Sequence, residues 1–361
     1  MSRATFWPSF RALRHVAAAA FALSFVGASC GQSALGILPG VLNDPSNLSL
    51  RREILKFAIG QTCSEMLKRS VAIRTRAEDP SMGRFFPATC FAQEGQEGHL
   101  FVRFTGTGYA WTNATRKLTF HASAAVEYEI DFMMDGSTLY AYFRHKTTSS
   151  VAFDLKVVES PISSSMLGLP VNVNAQTLAA QLGPQLLRQE LARGFTVIRE
   201  SDGAGSFGVG IVEKGQRPPA PYKKTDTGHL LLANERTEIH QGQRDYVGPF
   251  EVTGDGRALH LTISVDGAPG ADVIVVPASI GQAWRDTYIQ QAAPTPPPSP
   301  GRVDEPVAQG VIWRRSVALP KGTYYVVIDN TDTAGRTSLP KSPTDDIAAT
   351  ISYAVEEGDA P

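Results

Sequence analysis

Apolar and polar residues alternate along the middle of the chain. Within 126–132, Val126, Tyr128, Ile130 and Phe132 fall on one face, and Glu127, Glu129 and Asp131 on the other. A period of two is that of a strand with one buried face, because successive side chains point to opposite sides of a sheet. The pattern holds in 117–122, where Leu118, Phe120 and Ala122 oppose Lys117, Thr119 and His121, and continues through Val151, Phe153, Leu155 and Val157. Asp135-Gly136 lies between two such runs and predicts a hairpin. Residues 99–160 therefore read as an antiparallel meander with one dry and one wet face.

On either side the period lengthens. From Arg51 to about Ala72, Leu55, Ile59, Cys63, Met66 and Leu67 recur at helical spacing. A second helix is expected over Ala175–Arg193, kinked or restarted at Gly183-Pro184. Phe195–Glu200 and Val209–Glu213 read as a further hairpin. Beyond KGQRPPAPYKKTDTG (214–228), short strands dominate: Thr237–His240, Val247–Val252, Ala258–Val265, Asp272–Val276, Gly310–Leu319, Thr323–Asp329 and Ile347–Val355. Short strands, Gly/Pro turns and no helix predict a β-sandwich. Ala292–Gly301 (AAPTPPPSPG) reads as a stiff loop protruding between strands.

The expected fold class is an α+β N-terminal domain (an antiparallel sheet plus two helices) followed by an all-β sandwich. The expected boundaries are a signal peptide at 1–29, a tether at 30–50, the α+β domain at 51–214, a linker at 215–228 and the sandwich at 229–361, with its Pro-rich loop at 292–301.

The signal reading rests on the first thirty residues. Arg3, Arg11 and Arg14 form a cationic start without an acidic residue, followed by the apolar run Val16–Val26 (VAAAAFALSFV). Eleven residues are too few for a membrane span, which takes about 20. The end of the segment, Gly27-Ala28-Ser29-Cys30, resembles the lipobox of bacterial lipoproteins, with Gly27 where that family prefers Leu. The resemblance implies acylation of Cys30 and a protein tethered to a membrane of the bacterial cell envelope, in the periplasm or at the outer membrane. The alternative is cleavage after Ala28 and release as a soluble secreted protein.

Composition adds three constraints. Without Arg3, Arg11 and Arg14 the basic count falls to 31 against 35 acidic residues, a formal −4, with no basic patch; nucleic acid is not an expected partner. With Cys30 acylated, Cys63 and Cys90 are the thiols left, and an oxidising compartment favours pairing them. The loop of about 26 residues would add ~3 kcal/mol by restricting the unfolded chain; two buried free thiols are the alternative. Third, the cysteine and histidine spacing predicts no metal site, and no cofactor is expected.

Two further resemblances bear on function. LPKGTYYVVIDNT, with ISYAV after it, covers part of Leu319–Val355 and is similar to a late strand of GOLD-type and pre-peptidase C-terminal-type β-sandwiches. That implies a binding or processing module of exported proteins and carries over no catalytic residue. The helix-against-curved-sheet pattern of the first domain is similar to lipid-carrying tubular proteins.

Candidate chemistry is sparse. Gly203, Gly205 and Gly208 match GxGxxG, but Val209-Gly210-Ile211-Val212 reads as a strand where a dinucleotide site needs a helix. Ser206 fails the nucleophile-elbow pattern, because Ala204 stands where that pattern requires glycine. Glu127, Glu129 and Asp131 could serve acid–base work, or form a solvated ladder facing Lys117, Arg144 or Lys156. His240 and Asp245 could orient a base, although Arg244-Asp245-Tyr246 reads better as a buried network. Asp329, Asn330 and Asp332, with Gly335, offer hard oxygen ligands for a cation, or a plain Asx turn. Trp284, Trp313, Tyr288 and Tyr324 could line a sugar-binding face, or fill the core.

These readings predict a non-enzymatic binding or structural module, membrane-bound through Cys30, with a protein, glycan or lipid ligand. A carrier of lipid or another apolar ligand in the first domain is the second reading, and a hydrolase with non-local catalytic residues the third. The bulk of Phe120, Phe132, Phe143 and Phe153 predicts a filled core under the helices; a carrier needs a cavity of about 300–1,000 Å³.

Overall fold

The computed structural model describes residues 43–44, 46–76, 78–95, 99–112, 115–158, 175–199, 205–214, 216, 220–223, 228–337 and 348–361. Cys30, the signal segment and Gly203 lie outside them. Helix α1 (Leu48–Leu67) leads into β1 (Val71–Ala72), β2 (Gly83–Glu94), β3 (Leu100–Thr112), β4 (Thr115–Asp135) and β5 (Thr138–Val158). Helix α2 (Ala175–Ala192), β6 (Phe195–Arg199) and β7 (Gly205–Val209) follow. The seven strands form one antiparallel sheet in strict chain order.

Alternation translates directly into burial. Val126, Tyr128, Ile130 and Phe132 are buried, and Glu129 on the opposite face is exposed. The 117–122 and 126–132 runs are a single strand, β4, carried past register shifts at Thr119/Phe120, Ala125/Val126 and Glu127/Tyr128. The β4–β5 turn falls where expected, with Gly136 at φ +58 beside the Asp135–Thr138 pair.

Several boundaries shift. The first helix begins at Leu48, inside the expected tether, and ends at Leu67; Val71–Ala72 is already strand. Leu67 is 42 % exposed and so leaves the expected apolar face, whereas Ile59 is buried. The second strand of the β6 hairpin is Gly205–Val209, earlier than the expected 209–213. Lys117 and Thr119, expected on the wet face, are buried. The Lys117 ammonium donates to the carbonyls of Gln291 and Ala292 and stands 4.1 Å from the Tyr288 ring centre, which offsets its burial. The crosslink forms as expected: Cys63 on α1 is bonded to Cys90 on β2, with Cα atoms 5.3 Å apart.

The C-terminal part has two four-stranded antiparallel sheets. One has the order β13-β10-β15-β8 and the other β12-β11-β14-β9. The strands are β8 (Leu230–Ile239), β9 (Gln243–Val252), β10 (Arg257–Asp266), β11 (Gly270–Pro277), β12 (Val303–Ala308), β13 (Trp313–Ala318), β14 (Gly322–Asn330) and β15 (Ala349–Asp359). Inward residues of both, among them Leu259, Ile263, Val273, Val275, Val327 and Ile351, meet in one core, a sandwich-like arrangement.

The expectation of no helix here is corrected by α3 (Ala278–Gln290). Its buried stripe is Gly281, Trp284, Arg285, Tyr288 and Ile289. The spacing is helical, but two of the five are glycine and arginine, so no apolar period marks it. Gly281 is needed for close packing: a Cβ there would lie 2.5 Å from the Tyr325 ring. The Pro-rich loop follows α3 and is fastened at Thr295, while Ala292, Ala293, Pro296, Pro298 and Pro300 are exposed. Its Thr295 carbonyl accepts from Trp284 Nε1 and from Arg244 Nη1, each at 2.8 Å.

Candidate functional site: an apolar cavity and a buried polar junction

The seven-stranded sheet does not fill the space beneath its helices. A cavity of about 100 Å³ remains, lined by Phe85, Phe104, Leu118, Phe120, Tyr128 and Phe195 from the sheet. Helix α2 closes it with Gly183, Leu186, Leu187, Glu190 and Leu191, and α1 adds Met66. The α2 residues recur at i, i+3, i+4, i+7 and i+8, so one helical stripe faces the space. Met66, Val71, Pro87 and Leu186 are only partly buried, so the cavity approaches the surface at their end. The expected aromatic filling is present but incomplete. Phe120 stacks on Phe153 at 4.6 Å and Phe143 on Phe195 at 4.0 Å, yet a void survives between them and the helices.

A second feature joins the seven-stranded sheet to the sandwich-like sheets. Arg84 of β2 is 3 % exposed and its guanidinium forks onto Asp245 of β9, with Nε–Oδ1 at 2.9 Å and Nη2–Oδ2 at 2.8 Å. Tyr109 of β3 donates to Asp245 Oδ1 at 2.7 Å and accepts from the Tyr246 amide at 2.7 Å. Arg84 Nη2 also reaches the Tyr353 hydroxyl at 3.1 Å, and Tyr353 donates to Glu235 at 2.6 Å. Burial pushes the Asp245 carboxyl up, but the Arg84 charge and the hydrogen bonds from Arg84, Tyr109 and Thr237 outweigh it and hold it below the usual carboxylate range. Glu235 is likewise lowered: burial opposes ionisation, and Arg74, Arg84 and the Tyr353 hydroxyl overcome it.

A neighbouring buried pair lies inside the sandwich-like core. Arg244 Nε stands 2.7 Å from Asp329 Oδ1, both side chains are fully buried, and Thr331 donates to Asp329 Oδ2. Burial pushes the Asp329 carboxyl up to about 6 despite Arg244.

The other candidate residues are accounted for by their partners. Glu127 contacts His99 at 2.9 Å, Asp131 is held by Arg51, and Glu129 lies opposite Arg144 in register. The ladder reading thus fits, with His99 and Arg51 in place of Lys117 and Lys156. His240 pairs with Glu238, and Asp245 with Arg84, so the two do not form a His–Asp couple. Gly205 and Gly208 lie in strand β7, as does Ser206. Asp329 and Asn330 are buried at the end of β14. Among the described residues no cluster of three or more His, Cys, Asp or Glu side chains is arranged to hold a metal ion. Trp284, Tyr288 and Tyr324 are buried, and Trp313 packs against the core, its indole N–H on Glu305. The sugar-face alternative therefore has no exposed platform in these four rings.

The buried network expected at Arg244-Asp245-Tyr246 is present, but sequence reading missed Glu190 and missed Arg84 as the partner of Asp245. Glu190 interrupts an otherwise apolar stripe on α2, which is the signal that could have found it. No local pattern links Arg84 to Asp245. No helix among the described residues is long and apolar enough to cross a membrane.

No family model and no curated protein matches the chain. Among solved structures it is similar to a structure of infectious bursal disease virus Gx strain at 10 % identity, over 78 % of this chain and 73 % of that one, with a TM-score of 0.17. A likeness at that TM-score carries no argument about fold or function.

Proposed function

We propose that the chain is an exported, Cys30-anchored, non-enzymatic binding module of the bacterial envelope. In this reading an α+β unit at 51–214 presents the binding element, and a β-sandwich unit at 229–361 is welded to it through the Arg84–Asp245 junction. The observation that carries the binding role is the apolar cavity between α1, α2 and the sheet. A void of about 100 Å³ costs roughly 2 kcal/mol against a filled core. A ligand that fills it recovers that loss. Its size suits a short alkyl segment, or a single ring that enters partly from the open end, since a closed apolar cavity that takes a whole benzene is ~150 Å³. This favours a small apolar group over the whole lipid of the carrier reading.

Saturation-transfer NMR with toluene on the purified chain tests the cavity. Transfer is expected for the wild type and is expected to be lost in Leu187→Phe, whose ring enters the space. Failure of the wild type to bind toluene would reject the reading. The anchor is tested separately. Cys30→Ser is expected to move the protein from the membrane fraction to the soluble exported fraction, and equal solubility of both forms would reject acylation.

A further inference from the structure

We infer that the natural occupant of the cavity is an amphiphile whose apolar body carries a hydrogen-bond donor, an alcohol or an amine, docked on Glu190. The inference rests on the cavity reading above and specifies its ligand. Glu190 occupies the i+7 position of the stripe Gly183, Leu186, Leu187, Glu190, Leu191, and it is the one carboxylate among the residues lining the space. It is 7 % exposed. The i,i+3 pairing with Arg193 offsets part of the cost of burying this charge, a cost that a leucine at the same position would not incur.

Both Glu190 oxygens accept from Arg193, and each keeps a second lone pair. Arg193 Nη1 spans both its oxygens, at 3.1 and 2.9 Å, which uses one donor nitrogen. A carboxylate offers about four lone-pair sites, so acceptor capacity remains. Burial pushes the Glu190 carboxyl up, more than Arg193 and Arg74 pull it down. A donor arriving inside the cavity would relieve that burial. Neither Arg193 nor Arg74 is among the lining residues, so an anionic head would meet the Glu190 carboxylate without a facing cation. The other polar group in the lining, the Tyr128 hydroxyl, is directed at the Leu191 carbonyl at 3.5 Å.

Four one-ring probes separate the outcomes: toluene, benzyl alcohol, benzylamine and benzoate, titrated by NMR against the full chain. Benzyl alcohol and benzylamine are expected to bind about tenfold tighter than toluene, the scale of one hydrogen bond to a charged group. Benzoate is expected to bind more weakly than toluene. Glu190→Gln should retain the alcohol and lose the amine preference, and Glu190→Leu should level toluene and benzyl alcohol. If toluene binds and the alcohol and amine gain nothing, or benzoate binds best, the donor inference falls while the cavity stands. If none of the four binds, the cavity reading falls and this inference with it.

Discussion

Asp245→Ala is expected to cost about 3–5 kcal/mol of unfolding free energy, the scale for removing one partner of a buried ion pair. The change strands the Arg84 guanidinium, which is 3 % exposed, and takes an acceptor from Tyr109. The junction also lies inside a shared core. Phe86, Tyr109 and Trp111 of the seven-stranded sheet belong to the same apolar cluster as Tyr246, Trp284 and Val327. Tyr109 meets Tyr288 edge-on at 5.3 Å, and the Arg285 guanidinium lies over Phe86 at 4.4 Å. Hence the loss should appear in one unfolding transition that takes both halves together. Urea titrations followed by tryptophan fluorescence and by far-UV dichroism should coincide in the wild type and shift together in the variant. A loss under about 1 kcal/mol, or a shift confined to one probe, would contradict this account.

The same pair contributes to the acid limit, together with other lowered carboxyls such as Glu235. The folded Asp245 carboxyl lies below its ordinary value near 3.8, so the stability it contributes is complete above about pH 4. It is lost as pH falls through the lowered folded value. Asp329 works in the opposite sense: its carboxyl is raised to about 6, so its part favours the fold below pH 4 and fades as pH rises toward 6. In Asp245→Ala the loss below pH 4 should therefore be reduced, while the opposite change between pH 4 and 6 persists.

What the sequence makes legible follows from which interactions are local. Alternation at Val126–Phe132 and a turn at Asp135-Gly136 are written within a few residues, and β4 and β5 form there. Where burial mixes residue types the signal disappears. Helix α3 buries Gly281 and Arg285 alongside Trp284, so its stripe has helical spacing without an apolar period. Strand β12 hides because it follows the Pro-rich stretch directly and its Val303–Ala308 pattern is short and half-polar. The junction is illegible for a different reason. Arg84, Tyr109, Asp245, Tyr353 and Glu235 come from five strands up to 269 positions apart, and only the topology brings them together. Lys117 shows the limit of binary patterning: polar by type, it is buried because the carbonyls after α3 and the Tyr288 ring await it.

Removing the crosslink is expected to loosen α1 selectively and open the cavity. Cys63 and Cys90 are 27 positions apart, and closing such a loop contributes roughly 3–4 kcal/mol in the chain-entropy account. For Cys63→Ala/Cys90→Ala this corresponds to a fall in Tm of roughly 5–10 °C. The loss falls first on α1 because the crosslink ties that helix directly to β2. Arg51 pairs with Asp131 and reaches the Phe132 carbonyl, and Arg52 pairs with Glu94, an exposed contact of small worth. Met66, three residues past Cys63, lines the cavity, so a helix freed at Cys63 releases one wall of it. Hydrogen exchange in Leu48–Leu67 should therefore rise well beyond that in β10 and β14, whose backbones are paired on both sides within the sandwich-like core. Toluene affinity should fall in parallel. A uniform rise in exchange along the chain, or unchanged toluene binding with α1 already released, would show that the helix is not a wall of the site.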